Sequence, residues 1–163
     1  IDPCAGSPAP GTACANGSIY AGLSPDGNVP MYMMAANGPA GTYAWGPSVD
    51  AATVANCTGA YTGLTCRSGK ANGAALAALG ASYAMATYCE NLAPPDAQAH
   101  GRSDWYLPSK DEYQVLFSLG AQPANGFTNA AYYSSSENRS TATLSVNMNS
   151  GALALSNKSF AGP

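Results

Sequence analysis

The chain has 163 residues, only 9% of them charged, and a formal net charge of -3 at pH 7. That length suits one domain with a single core. So low a charge leaves a neutral, polar surface that holds neither nucleic acid nor an anionic membrane by bulk electrostatics. No apolar run approaches the roughly 18 residues of a membrane span. The start at Ile1, without a methionine, reads as a processed chain or a fragment.

Residues 1–50 read as loops and short strands. Pro3, Pro8, Pro10 and Gly11 preclude a helix, and 18–22 and 29–33 have strand character. Cys4 and Cys14 bracket a Pro/Gly-rich loop, and Cys57 and Cys66 bracket a Gly/Thr-rich one. Two local bridges are the simplest pairing, with Cys89 left as a buried helical thiol, although the sequence alone leaves the connectivity open. Short staples of this kind suit an extracellular or virion-borne protein. Residues 50–73 read as a turn-rich connection. From 74 to 92 the spacing of Leu76, Leu79, Tyr83, Ala86 and Cys89 predicts one helix, stopped by Pro94-Pro95.

The junction at 104–112 is the strongest local signal. Trp105 and Leu107 alternate with Tyr106 as a half-buried strand would, and Pro108 stops that strand. Ser109 then stands at a helix N-cap with Glu112 three residues on, the pattern of a capping box. The helix runs to about 119, with Gly120 as its C′ residue. Residues 127–163 read as β throughout, with strands over 143–148 and 152–156 joined by a turn at Asn149-Ser150-Gly151.

Residues that could carry chemistry mostly have structural readings. Asp111 and Glu112 fall in a first helical turn, which favours anions. Asp104 and Glu137 suit acceptance of backbone N–H bonds. His100 is the only histidine, so neither a zinc site nor a Ser-His-Asp set can be assembled around it. Ser134-Ser135-Ser136 lacks a nucleophile elbow and reads as small hydroxyls packed between close backbones. No metal and no cofactor are expected. Sequons at Asn16, Asn56, Asn138 and Asn157 arise readily in an Asn- and Ser-rich chain and carry no weight.

The order Asp104-Trp105-Tyr106-Leu107-Pro108-Ser109, then Tyr133-Ser134-Ser135-Ser136-Glu137, then a final hairpin with Gly151 and Lys158, resembles the C-terminal domain of bacterial collagen-like adhesins. That domain also occurs in secreted and phage-encoded proteins. The segments 22–31 and 88–92 look familiar from the same family. The chain differs in ending Phe160-Ala161-Gly162-Pro163 rather than in a basic strand, and it is less basic than members that bind sulfated polysaccharides. The resemblance implies an α+β fold of the C-type-lectin-like or formylglycine-generating-enzyme-like group, with two helices, a small antiparallel sheet and long loops. It also implies a binding face on the C-terminal hairpin.

The expected organisation is one domain over 1–163, loop- and strand-rich over 1–50, with two helices over 74–119 and a display region over 127–163. The expected display residues are Tyr132 or Tyr133, Asn138, Arg139, Asn147, Asn149, Asn157 and Lys158, a mix of tyrosine and amides that suits adaptable recognition. The function expected is a non-enzymatic extracellular module that contacts a cell-surface glycan or protein receptor. It would be a homo-oligomer or be attached to an appendage or particle. The alternative is a structural subunit of a phage particle, filament or pilus.

Overall fold

A computed structural model describes residues 1–6, 8–34, 43–51, 54–57, 64–118, 127 and 130–162. Its elements make an α+β fold with three antiparallel sheets and, among the described residues, four α-helices and a 3-10 turn. β1 (Ile19–Leu23) pairs with β2 (Pro30–Met33), close to the segments expected from sequence. β3 (Tyr43–Ala44) pairs with β7 (Ala161–Gly162), which joins the N-terminal third of the chain to its end. β4 (Ala131–Arg139), β5 (Ala142–Asn147) and β6 (Leu153–Asn157) form the largest sheet in simple sequential order.

The helical region departs from the single helix expected over 74–92. α1 (Leu64–Arg67) and α2 (Gly69–Ala78) begin earlier, in the segment read as a turn-rich connection. Ser68 caps α2 by accepting from the Ala71 N–H at 3.2 Å. The start of α2 is Gly-rich because a close approach requires it at Gly69. A Cβ on Gly69 would lie 2.6 Å from the Leu107 carbonyl and 2.7 Å from the Ser109 nitrogen. α2 then ends, and α3 (Ala84–Asn91) restarts after Gly80, whose φ of +109° no helix accepts.

The 104–107 segment forms no strand, another departure from the sequence reading. It is extended, with Trp105 and Leu107 buried and Tyr106 half-buried, so the alternation is real without a ladder. Trp105 is anchored by its indole N–H, which donates to the Ala99 carbonyl at 2.8 Å. Hydrogen bonding to the sheet comes at Pro108, whose carbonyl accepts from the Ser135 N–H at 2.8 Å. α4 (Lys110–Ser118) follows, opened by the reciprocal capping pair: Glu112 N–H to Ser109 Oγ at 3.2 Å and Ser109 N–H to Glu112 Oε2 at 2.9 Å. Gly120 lies outside the described residues.

Two clusters hold most of the apolar core, and three smaller ones surround the two disulfides and Trp105. Trp45, Leu76, Tyr83, Met85, Leu107 and Tyr133 pack together beneath α2 and α3. Ile19, Met31, Met33, Tyr113, Leu116, Val146 and Met148 pack together beneath α4. Cys4–Cys14 and Cys57–Cys66 are disulfide-bonded, with Cα atoms 5.1 and 5.3 Å apart, and Cys89 is a free thiol. Two such bonds fit an oxidising compartment. No helix among the described residues is long and apolar enough to cross a membrane.

Candidate functional site

The acidic residues nearest the fold's centre are committed to holding it. Glu112 is 1% exposed, and beyond its cap it accepts from the Gly69 N–H at 2.9 Å, the Ser24 hydroxyl at 2.7 Å and the Tyr106 hydroxyl at 3.1 Å. One carboxylate thereby ties together the β1–β2 turn, the start of α2 and the start of α4. Burial beside Glu112 drives the Tyr106 phenol well above its ordinary value. Ser134, Ser135 and Ser136 are fully buried bolts on β4. Ser136 donates to the Thr65 carbonyl at 2.7 Å and accepts from the Lys110 N–H at 3.0 Å, while Ser135 accepts from the Asn72 amide at 3.2 Å.

Glu137 and Lys158 form a second internal anchor, and neither side chain is exposed. Lys158 ion-pairs with Glu137, donates to the Val49 carbonyl at 2.9 Å and lies 4.9 Å from the centre of the Trp45 ring. The Ala51 N–H donates to both oxygens of Glu137, at 2.9 and 3.2 Å. Burial raises the Glu137 carboxyl above its ordinary value, while hydrogen bonds from Lys158 and Ala51 pull it back. The arrangement pins the 49–51 segment to the sheet.

Lys158 is thus no display residue, because its ammonium is drawn inward by a buried partner. Tyr133 is also buried, with its hydroxyl 3.4 Å from the Asn157 carbonyl, and Tyr132 is half-buried against Phe127 at 5.1 Å. The remaining display candidates do not form one patch. Asn147 and Asn149 sit at the β5–β6 turn, where Asn147 Oδ1 accepts from the Asn149 and Ser150 N–H groups at 2.9 and 3.2 Å. Asn138, Arg139 and Asn157 sit at the other end of β5, about 17 Å away at 3.4 Å per residue. Asn138 donates to the Cys57 carbonyl at 3.2 Å, and Asn157 accepts from Ser159 N–H at 3.0 Å. Arg139 and Asn149 are exposed.

The other reactive candidates are dispersed. Asp104, expected to accept backbone N–H bonds, instead takes the Arg102 guanidinium on both oxygens at 2.9 and 2.8 Å, which holds its carboxyl below the usual range. Arg102 in turn lies 4.3 Å from the centre of the Tyr32 ring. Asp111 pairs with Lys110. His100 packs edge-on to Trp105, with Nδ1 3.1 Å from the Asn16 carbonyl. Cys89 packs instead against the cluster around Trp45, where burial pushes its thiol up to about 12. At that value it is no nucleophile near neutrality. Asp2 groups with Cys4 and Cys14 as potential metal ligands, but both sulfurs are in the disulfide.

One groove of ≈ 330 Å³ was not anticipated from sequence. Its wall is a stacked pair, Tyr43 of β3 and Tyr88 of α3, with ring centres 4.8 Å apart and planes 27° from parallel. Ala84, Thr87, Tyr88 and Asn91 line it at the i, i+3, i+4, i+7 spacing of one helix face, and Ala81, Leu92 and Asp96 complete the lining. Asp96 caps the 3-10 turn (Ala97–Ala99) through Oδ1, which accepts from the Gln98 N–H at 2.9 Å. The Tyr88 hydroxyl donates to Gln98 Oε1 at 3.1 Å. Desolvation raises the Tyr88 phenol above its ordinary value. The helical spacing of Thr87, Tyr88 and Asn91 was present in the sequence, but Tyr43, 45 residues before Tyr88, joins them only through the β3–β7 pairing.

No protein-family model, curated protein or solved structure matches this chain.

Proposed function

We propose that the chain is a non-enzymatic binding module of an oxidising, extracellular setting, contacting a cell-surface glycan or protein receptor without a cofactor. The observation that carries this reading is the inward commitment of its buried ionised groups. Glu112, Glu137 and Lys158 are each at most 1% exposed and are partnered within the scaffold. Outward-facing positions carry amides, hydroxyls and tyrosine edges, chemistry that recognises without transforming. The motif order shared with the adhesin domain supports the same reading, including a lectin-like arrangement of small sheets and long loops and attachment to an appendage or particle. An experimental structure compared with that fold group tests the arrangement. A glycan array together with binding to host cells tests the function. Retention on at least one is expected, and absence of both would overturn it.

A specific observation favours a second reading, a structural subunit. β6 carries no charge and no proline, and its Leu153 and Leu155 are 38% and 50% exposed. Edge strands are ordinarily guarded by such residues against pairing with another chain. Light scattering behind a sizing column separates the two: concentration-dependent assembly without ligand supports the subunit, and a ligand-binding monomer supports the module.

A further inference from the structure

We infer that the Tyr43–Tyr88 groove is a saccharide subsite that takes a neutral pyranose ring. The inference rests on the binding-module reading and names its ligand class and its site.

A pyranose presents a flat face of C–H groups and a rim of hydroxyls, so its recognition calls for an aromatic surface beside amides and a carboxylate. The groove supplies both. Tyr88 is braced twice, by stacking on Tyr43 at 4.8 Å and by its hydroxyl on Gln98 at 3.1 Å, so little rotamer freedom is left to lose on binding. Thr87 and Asn91 stand one helical turn apart on the same face as Tyr88, within reach of hydroxyls on a ring stacked there. Ala81 and Ala84 keep the floor open.

Asp96 is the only acidic or basic side chain among the described residues of the lining. Its Oδ1 is held by Gln98, and its Oδ2 has no partner among the described residues, so it is free to accept from a sugar hydroxyl. A fixed carboxylate also repels sulfates, uronates and sialic acids, which selects neutral sugars. The volume of ≈ 330 Å³ falls at the low end of the roughly 300–1,000 Å³ of small-ligand sites, enough for one or two rings.

The test is saturation-transfer NMR and calorimetry on the full chain with methyl glucopyranoside, galactopyranoside and mannopyranoside, N-acetylglucosamine, and heparin as the anionic probe. At least one neutral sugar should bind and heparin should not. Tyr88→Ala should weaken the neutral sugar by about tenfold, the upper range for an aromatic contact, and Tyr88→Phe by no more than about twofold. Asn91→Ala, on an exposed rim residue, keeps the test valid if Tyr88→Ala fails to fold, and should weaken binding by about threefold. Neutral-sugar binding that all three variants leave unchanged would overturn the groove assignment and leave the module reading standing. The same holds for heparin binding without neutral sugars, and for binding to a protein receptor alone. Self-assembly with no ligand of either kind would defeat the module reading itself.

Discussion

Replacing Lys158 with methionine removes one member of a fully buried ion pair while keeping most of the side-chain volume. The wild-type ammonium holds Glu137, the Val49 carbonyl at 2.9 Å and the face of Trp45 at 4.9 Å. In Lys158→Met the Glu137 carboxylate stays buried with, among the described residues, the Ala51 N–H as its remaining hydrogen-bond donor. Breaking such a pair from one side destabilises by about 3–5 kcal/mol. At roughly 2–4 °C per kcal/mol for a chain of this size, the midpoint should fall by about 6–20 °C. The loss should also depend on pH. Burial already raises the Glu137 carboxyl above its ordinary 4.5, and removing the ammonium raises it further. A raised carboxyl favours folding below the unfolded value and loses that contribution as pH rises through the folded value. The variant should therefore lie nearest wild type at pH 4–5, with a gap widening by up to about 1.4 kcal/mol per pH unit until the folded value is passed. Adding Glu137→Gln should recover stability and flatten the pH dependence. Urea unfolding from pH 4 to 8 measures all three proteins. A loss below about 1 kcal/mol, or one constant across that range, would refute the claim that Glu137 is a buried carboxylate neutralised by Lys158.

Glu112→Gln should cost about 2–3 kcal/mol in urea unfolding, because Oε2 accepts from both the Gly69 and the Ser109 N–H at 2.9 Å while Oε1 accepts from the Ser24 and Tyr106 hydroxyls, and an amide that keeps its oxygen for the first pair turns an NH2 donor on the second. Ser109→Ala, which loses only the cap, should cost about 1 kcal/mol. Native protein treated with iodoacetamide at pH 8 should stay unmodified, since the Cys89 thiol is pushed up to about 12, and one thiol per chain should react in urea. Non-reduced peptide maps should show the 4–14 and 57–66 links. Asp104 is held low by Arg102, so that pair should contribute above pH 3.8 and be lost as pH falls below it. With side chains 29% and 55% exposed, the pair is worth under about 1 kcal/mol, and Arg102→Gln should remove that acid-sensitive increment together with a pH-independent loss of the Tyr32 contact in melts from pH 2 to 6.

Much of the scaffold was readable because it is local. The Ser109–Glu112 capping box needs four consecutive residues and short-range geometry, and it forms as the pattern requires. The two disulfides close short loops between neighbours in sequence. The C-terminal hairpin turns at Asn147–Gly151 through the Asn147 side chain and the positive φ of Gly151, both functions of residue type. The helix expected over 74–92 failed where a local signal was outweighed. An Ala/Leu-rich composition hides a break at Gly80, and the glycines that start α2 look like loop until Leu107 and Ser109 lie against Gly69.

The site was less readable. Tyr133 and Lys158 have the composition of display residues, yet β4 is covered on both faces from Tyr133 to Glu137, and Lys158, in the turn after β6, is fully buried. Lysine usually stays in solvent, and here the buried Glu137 of β4, two strands across the sheet, draws the Lys158 ammonium in. The sequence by itself determined the caps, the turns, the local cross-links and the low surface charge, because each depends on residues a few positions apart. Only the tertiary structure decided that Glu137 would meet Lys158, that the asparagines would divide between two ends of a sheet, and that Tyr43 would stack on Tyr88. Those pairings join residues 21 to 45 positions apart. No side-chain pattern along the chain encodes such a contact until the strands that carry it have paired.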